Sequence, residues 1–195
     1  MKIYLLNGIH DSIAGTTGAL VPHLRALGHD PQHLYRRTVK AWYSRSKPYL
    51  KKTARHLELQ MDRSQPSALI AHSQGGVQAY YMMTESERDL FDYVILISPA
   101  MNRNGWKWED CGFKKILVVY NPDDLAIWMG SLLAFRHPFG KAGCRGFKTV
   151  DPRFDQREDS TGKDGFLGHN HYFDDAHSRD TADMIDLFLE SQATR

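Results

Sequence analysis

Short apolar segments alternate with amphipathic segments along this chain of 195 residues. Residues 67–72, 91–97 and 115–120 are largely continuous apolar runs, which is typical of strands that are covered on both faces. Between such runs lie segments whose apolar residues recur at helical spacing. This alternation predicts an α/β fold with a mostly parallel central sheet and helices on both sides, organised as a single domain over residues 1–195.

The apolar pattern also predicts the bounds of the elements. Strands are predicted at residues 2–7, 32–35, 67–72, 91–97, 115–120 and 146–150. Helices are predicted at residues 17–27, 46–61, 75–84, 125–135 and 181–189. Pro48 would lie in the first turn of the second helix, where a missing N–H costs no hydrogen bond. No linker, repeat or low-complexity tract interrupts this order.

The composition is that of a soluble globular protein, with 42% hydrophobic and 25% charged residues. No apolar run approaches the length needed to cross a bilayer. The first residues, Met1 to Gly8, are interpreted as a strand and not as a signal peptide. Cys111 and Cys144 are the only cysteines; they could pair, but two free thiols in a cytoplasmic protein are the more common case. Cytoplasm is therefore the predicted location.

The net charge of +2 is unevenly distributed. No acidic residue occurs between Asp30 and Glu58, whereas the segment 35–55 is rich in basic and aromatic residues. Such a mixture could bind a polyanion or single-stranded nucleic acid. A charge run is more often a solvated surface, so nucleic-acid binding is the weaker interpretation.

A possible nucleophile follows the third predicted strand, in the sequence Ala71-His72-Ser73-Gln74-Gly75. A serine at a tight strand-to-helix turn is exposed, and the residues two before and two after it must be small because the backbones nearly touch. The amides at the start of the next helix would point toward an oxyanion beside Ser73. The alternative is that Ser73 only caps the helix.

A serine nucleophile needs a base and a carboxylate that orients the base. Asp124, after the strand 115–120, is the predicted carboxylate and Asp123 the alternate, although either could be a helix N-cap. His169, after Gly168 in a late loop, is the predicted base and His171 the alternate. His72 is too close to Ser73 in sequence to act as the base, and we expect it to pack or orient near the site.

The order Ser73, Asp124, His169 resembles that of the α/β-hydrolase superfamily. The resemblance extends over nearly the whole chain: the loop Asn7 to Asp11, the turn Ala71 to Gly75, the turn at Asp124 and the loop at Gly168 and His169. It implies an oxyanion hole formed by the backbone amides of Ile9 and Gln74, and no cofactor. Asn7 stands where the family often has histidine, and Ala71 where it has glycine. Only residues 98–113 are available where the family often has a lid, so the resemblance implies a lidless esterase.

The predicted function is that of a serine hydrolase that cleaves a carboxylic ester, or a thioester or amide, of a small molecule through an acyl-Ser73 intermediate. Aromatic, leucine and methionine side chains could line an acyl pocket, although in such places they more often belong to the core: Met101, Trp106, Trp108, Trp128, Met129, Leu132, Leu133 and Phe135. The oligomeric state stays open.

Three other functions fit the sequence less well. A metal site could use His169 and His171 with Asp174, Asp175 and His177, but these residues include no cysteine pair and no His-Glu-x-x-His spacing, so no metal site is predicted. A phosphate loop at residues 15–18 lacks the Gly-Lys-Ser/Thr ending. The third alternative is a catalytically inactive protein of the same fold that binds a partner through segment 35–55.

Overall fold

Six parallel strands form one sheet in the computed structural model, which describes residues 1–8, 16–34, 46–62, 64–133, 139–159 and 168–193. The strands are β1 (Lys2–Leu6), β2 (Asp30–His33), β3 (Ser67–His72), β4 (Tyr93–Ile97), β5 (Lys115–Tyr120) and β6 (Phe154–Glu158). Their order in the sheet is β2-β1-β3-β4-β5-β6, and every neighbouring pair is parallel. The predicted parallel α/β sheet is confirmed.

Among the residues described, six α-helices connect or follow these strands. They are α1 (Val21–Ala26), α2 (Lys47–Glu58), α3 (Gly75–Glu85), α4 (Leu125–Leu133), α5 (Ala142–Arg145) and α6 (Ser178–Ala193). Short 3₁₀ turns occur at Thr16–Leu20, Trp108–Asp110 and His171–Phe173. Within the described ranges, no helix is both long enough and apolar enough to cross a membrane.

The core lies on both faces of the sheet because successive strand residues point to opposite sides. Leu69 and Ala71 of β3 face one cluster, which contains Leu50 of α2 and Val77 of α3. Ala68 and Ile70 face the other cluster, with side chains from α1 and α6: Leu24, Ile185 and Phe188. Burial on both faces explains why β3, β4 and β5 are continuous apolar runs in the sequence.

The strand register places the carboxyl ends of the central strands side by side. Ala71 of β3 is paired with Leu6 of β1 and with Leu96 of β4. Ile97 of β4 is in turn paired with Val119 of β5. The loops after β1, β3, β4 and β5 therefore emerge at one edge of the sheet, which is where open parallel sheets place their sites.

The prediction of a last strand at residues 146–150 is wrong. Gly146 has a φ of 62°, outside the extended region, and Val150 is fully exposed. The strand lies instead at Phe154–Glu158, on the edge of the sheet, where it pairs only with β5. Its side chains are half-buried or exposed, so it has mostly polar residues and no apolar run.

Other predicted elements exist with shifted bounds. The helix predicted at 17–27 is a 3₁₀ turn followed by the short helix α1, and the strand predicted at 32–35 begins and ends two residues earlier. The strand predicted at 91–97 begins at Tyr93, and the helix predicted at 181–189 extends from Ser178 to Ala193. The helix predicted at 125–135 is described as far as Leu133, and its last two residues, including Phe135, lie outside the described ranges.

The connection between β4 and β5 contains only the short 3₁₀ turn and forms no lid domain. Met101, Trp106 and Trp108, which lie in it, are buried in the cluster that contains α2 and α3. They belong to the core, which is the more common role for such residues, and do not line an open acyl pocket. By contrast, Trp128 and Met129 of α4 are 44% and 47% exposed.

Candidate active site

Ser73 occupies a strained turn between β3 and α3. Its φ of 54° is unfavourable for any residue with a side chain, and strain of this kind is concentrated at functional sites. Three backbone hydrogen bonds fix the turn: Ser73 N–H donates to Ile97 O (3.1 Å), and Ser73 O accepts from Gly76 (3.1 Å) and Ala100 (3.0 Å). Because the N-cap of α3 is Gln74, capping by Ser73 does not explain the turn. The side chain is half-buried.

The close approach predicted around this turn is present. A Cβ atom on Gly75 would lie 2.6 Å from the carbonyl oxygen of Leu6 and 2.9 Å from that of Asn7, both backbone atoms at the end of β1. Any side chain at position 75 would therefore push α3 away from β1. Ala71, two residues before Ser73, is fully buried.

Gly8, two residues after β1, lies against the serine. A Cβ atom on Gly8 would lie 3.0 Å from Ser73 Cβ and 3.4 Å from Ser73 Oγ. The backbone at Gly8 is thus next to the hydroxyl, as an oxyanion loop requires. Ile9, whose amide the sequence predicts as one oxyanion donor, lies outside the described residues. Gln74, the other predicted donor, is fully buried at the N-cap of α3.

Asn7 anchors this loop, a role that the sequence did not reveal. Its Oδ1 accepts hydrogen bonds from the backbone N–H of Thr17 (3.1 Å) and from the Thr17 hydroxyl. Both residues are buried, so these bonds connect the end of β1 to the start of the turn that precedes α1. An asparagine directly after a buried strand was the only signal in the sequence, and it does not identify its partner.

Asp124 and His169 form a direct pair. The Nδ1 atom of His169 lies 2.7 Å from Oδ2 of Asp124, which is fully buried. The other carboxylate oxygen, Oδ1, accepts a hydrogen bond from Ile127 N–H at 2.8 Å. The carboxylate is therefore fixed at both oxygens. Its alternate, Asp123, is exposed, and its backbone N–H donates to Oδ1 of Asn121 at 2.9 Å.

His171, the alternate base, is buried and occupied at both ring nitrogens. Nδ1 lies 3.0 Å from Gly168 O, and Nε2 lies 3.1 Å from Oδ2 of Asp159. Only 1% of the residue is exposed. Neither nitrogen is available to exchange a proton with a substrate unless one of these bonds breaks.

His72 lies between the serine turn and His169. Its ring centroid is 4.5 Å from that of His169 and 4.8 Å from that of Phe173. Nε2 is 3.2 Å from the carbonyl oxygen of His169, and Nδ1 is 3.2 Å from Oγ1 of Thr16. Burial, together with the neighbouring His169, holds the pKa of His72 well below its usual value, so the ring is neutral. His72 therefore packs against the rings of His169 and Phe173.

Three further features of the sequence concern a possible metal site, the basic segment and the two cysteines. In the described part of the chain, no three His, Cys, Asp or Glu side chains are close enough to hold a metal ion. Residues 35–45 of the basic segment are not described; within α2, Lys51 is paired with Glu85 at 2.7 Å. Cys111 and Cys144 are free and buried, and burial raises the pKa of each thiol to about 12.

A cavity of about 520 Å³ lies at the opposite edge of the sheet, where β3, β4 and β5 begin. Ser67, Asp92, Lys114 and Arg153 are among its lining residues. Asp92 is paired with Lys114 at 2.7 Å, and Arg153 is paired with Asp151 at 2.7 Å. Because these charged groups already neutralise one another and the cavity lies far from the strand ends that carry Ser73 and Asp124, we do not assign it to the site.

No protein-family profile matches the chain, and no curated protein sequence matches it. Solved structures share its fold. A lipase-esterase related protein from Clostridium acetobutylicum is 9% identical, with a TM-score of 0.64, over 96% of this chain and 93% of the other. Est1E from Butyrivibrio proteoclasticus is 13% identical, with a TM-score of 0.62, over 100% of this chain and 88% of the other.

A third similar structure, from Xanthomonas campestris, is described provisionally as a hydrolase of the alpha/beta superfamily. It is 15% identical, with a TM-score of 0.55, and the match covers 97% of this chain and 98% of that one. The TM-scores establish the fold. At identities this low, they do not establish the chemistry, which depends on the residues of the site. The chain has the α/β-hydrolase fold, and the residues that the structure describes form no lid domain.

Proposed function

We propose that the protein is a serine hydrolase that cleaves a carboxylic ester through an acyl-Ser73 intermediate. The observation that carries the proposal is the 2.7 Å contact between a fully buried Asp124 and Nδ1 of His169, at the sheet edge where Ser73 lies in a strained turn. The hydrolase descriptions of proteins with the same fold support it. Thioesters and amides react by the same steps and are secondary candidates.

In the first half of the reaction, the Ser73 hydroxyl attacks the ester carbonyl and its proton passes to Nε2 of His169. The Nδ1–H of His169 donates to Asp124, which fixes the tautomer and stabilises the imidazolium that forms. The carbonyl oxygen becomes an oxyanion, for which we propose the backbone amides of Gln74 and Ile9 as donors. Collapse of this intermediate expels the alcohol, which takes the proton from His169.

In the second half, water attacks the acyl group on Ser73 and gives its proton to His169. The Ser73–acyl bond then breaks, and His169 returns the proton to the serine oxygen, so that the enzyme is regenerated and the acid is released. Every step uses side chains and amides of this chain and needs no cofactor. We keep the cytoplasm as the predicted location; two free thiols are compatible with it.

Replacement of the nucleophile tests the proposal. Ser73→Ala is expected to abolish p-nitrophenyl acetate hydrolysis and covalent labelling by a fluorophosphonate, with an unchanged circular dichroism spectrum. Ser64→Ala is the matched control, because Ser64 is exposed near the opposite edge of the sheet, and it should retain both activities. Labelling and turnover that persist in Ser73→Ala would contradict the mechanism. An ester panel of graded acyl length would then define the substrate.

A further inference from the structure

The backbone of the proposed base is held by side chains from three directions. The carbonyl oxygen of Gly168 accepts a hydrogen bond from Nδ2 of Asn121 (3.2 Å) and lies 3.0 Å from Nδ1 of His171. The next carbonyl, that of His169 itself, accepts from Nε2 of His72 (3.2 Å). Because two successive carbonyls of the loop are bonded to side chains, the position of the His169 ring is fixed.

His72 connects this loop to the nucleophile. It is the residue before Ser73, and its ring is close to the ring of His169. A carbonyl oxygen only accepts, so Nε2 of His72 must carry the proton, and Nδ1 then accepts from the hydroxyl of Thr16. The geometry therefore selects one tautomer of a neutral ring. Neutrality matters because a second positive charge would oppose the imidazolium that forms at His169.

His171 connects the same loop to the far edge of the sheet. Its Nε2 contacts Asp159, the residue directly after β6, whose backbone N–H donates to Tyr120 O at 2.9 Å. Asp159 is thus tied to the last residue of β5, directly before Asn121. The base loop is in this way bound to the strand end that leads to Asp124.

We propose that His72 and His171 are positioning residues that clamp His169 from two sides, His72 against the nucleophile turn and His171, through Asp159, against the end of β5. The inference rests on the proposed function in one respect, the assignment of His169 as the base. The clamp consists of the contacts that fix the His169 ring, so it can be tested with or without turnover.

The first test is the proton of the Asp124–His169 pair, observed by NMR. We expect a downfield His169 Nδ1–H resonance in the wild type and in Ser73→Ala, and its loss through exchange broadening in His72→Phe. Phenylalanine keeps the ring packing and removes both hydrogen bonds, whereas His72→Gln keeps an amide donor near the Nε2 position and should retain the resonance. An unchanged resonance in His72→Phe would overturn the clamp, whether or not the protein is an esterase.

The second test is kinetic. A small displacement of a catalytic group costs up to about 100-fold in rate, so His72→Phe should lower kcat for p-nitrophenyl acetate by about 10-fold to 100-fold. KM should change little, and His72→Gln should recover most of the loss. Asp159→Asn should lower kcat in the same direction, again without a change in KM. If His72→Phe retains full kcat, or if Gln recovers nothing, His72 does not position the base.

Discussion

At the scale of single residues, the two oxygens of Asp124 have different partners. Oδ1 accepts from Ile127 N–H and Oδ2 accepts from His169 Nδ1–H, so both positions demand an acceptor. An asparagine side chain can offer only one. The backbone N–H of Ile127 always donates, so the amide oxygen of an asparagine at position 124 would accept from it. The NH₂ group would then face His169 and force the proton of the ring onto Nε2. In that tautomer, Nε2 could no longer accept a proton from Ser73.

We therefore expect Asp124→Asn to lower kcat by about 10,000-fold, the loss known for an incorrect tautomer in such triads, with little change in KM. The matched control is Asp123→Asn, one residue earlier and exposed, which should keep nearly full activity. Steady-state kinetics on both variants decide between the two carboxylates. The reverse ranking would assign the role to Asp123.

The placement of Ser73 and Asp124 at one edge of the sheet could be predicted from the sequence. Each follows an apolar run, and parallel strands bring such ends to one edge of the sheet. The anchoring residues could not be predicted in this way. Asn7, His72 and Asp159 act through partners that are 10, 97 and 12 residues away in the sequence, and nothing in the local pattern names those partners.

At the scale of elements, the fold depends on how closely β1 and α3 approach. A methyl group on Gly75 would lie 2.6 Å from Leu6 O, in a place where only backbone could move. Overpacking of this kind costs about 1–3 kcal/mol. We expect Gly75→Ala to lower the free energy of unfolding by about 3 kcal/mol, or roughly 6–12 °C in Tm for a chain of this length.

Gly130→Ala is the control for this prediction. Gly130 lies within α4, and a Cβ atom there would meet no atom within 4 Å. Alanine is the better helix former, so this variant should gain about 0.5–1 kcal/mol. Thermal unfolding of both variants followed by circular dichroism is the measurement. Equal Tm values for Gly75→Ala and the wild type would mean that α3 can shift away from β1 without cost.

The strands that the sequence predicts well are those buried on both faces. β3, β4 and β5 are largely apolar, with polar residues only at the ends of β3 and β5, so their pattern predicts strands clearly. β6 pairs on one side only and has the sequence Phe-Asp-Gln-Arg-Glu, in which hydrogen bonding to β5, and not an apolar run, defines the strand. The segment 146–150 contains Phe147 and Val150 and therefore has the more strand-like composition of the two. An edge strand is specified by its neighbour more than by its own residues.

At the scale of the whole molecule, the buried neutral His72 couples stability to pH. Its pKa in the folded protein is held well below the usual value near 6.5, mainly by burial, with the His169 ring as the second cause. The unfolded chain therefore binds a proton at this residue below about pH 6.5 that the folded chain does not bind. Stability from this source is complete above about pH 6.5 and is lost as the pH falls, by about 1.4 kcal/mol per pH unit.

We expect the free energy of unfolding of the wild type, relative to that of His72→Gln, to fall between about pH 7 and pH 5, by at most about 2 kcal/mol. Urea unfolding at half-unit pH steps measures it. Burial also lowers the pKa of His33, which acts in the same direction but is common to both proteins and cancels in the difference. His56→Gln, on the exposed side of α2, controls for the loss of an imidazole as such. A difference between wild type and His72→Gln that stays constant with pH would mean that His72 takes up a proton in the folded state, and the neutral, single-tautomer ring on which the clamp depends would then be wrong.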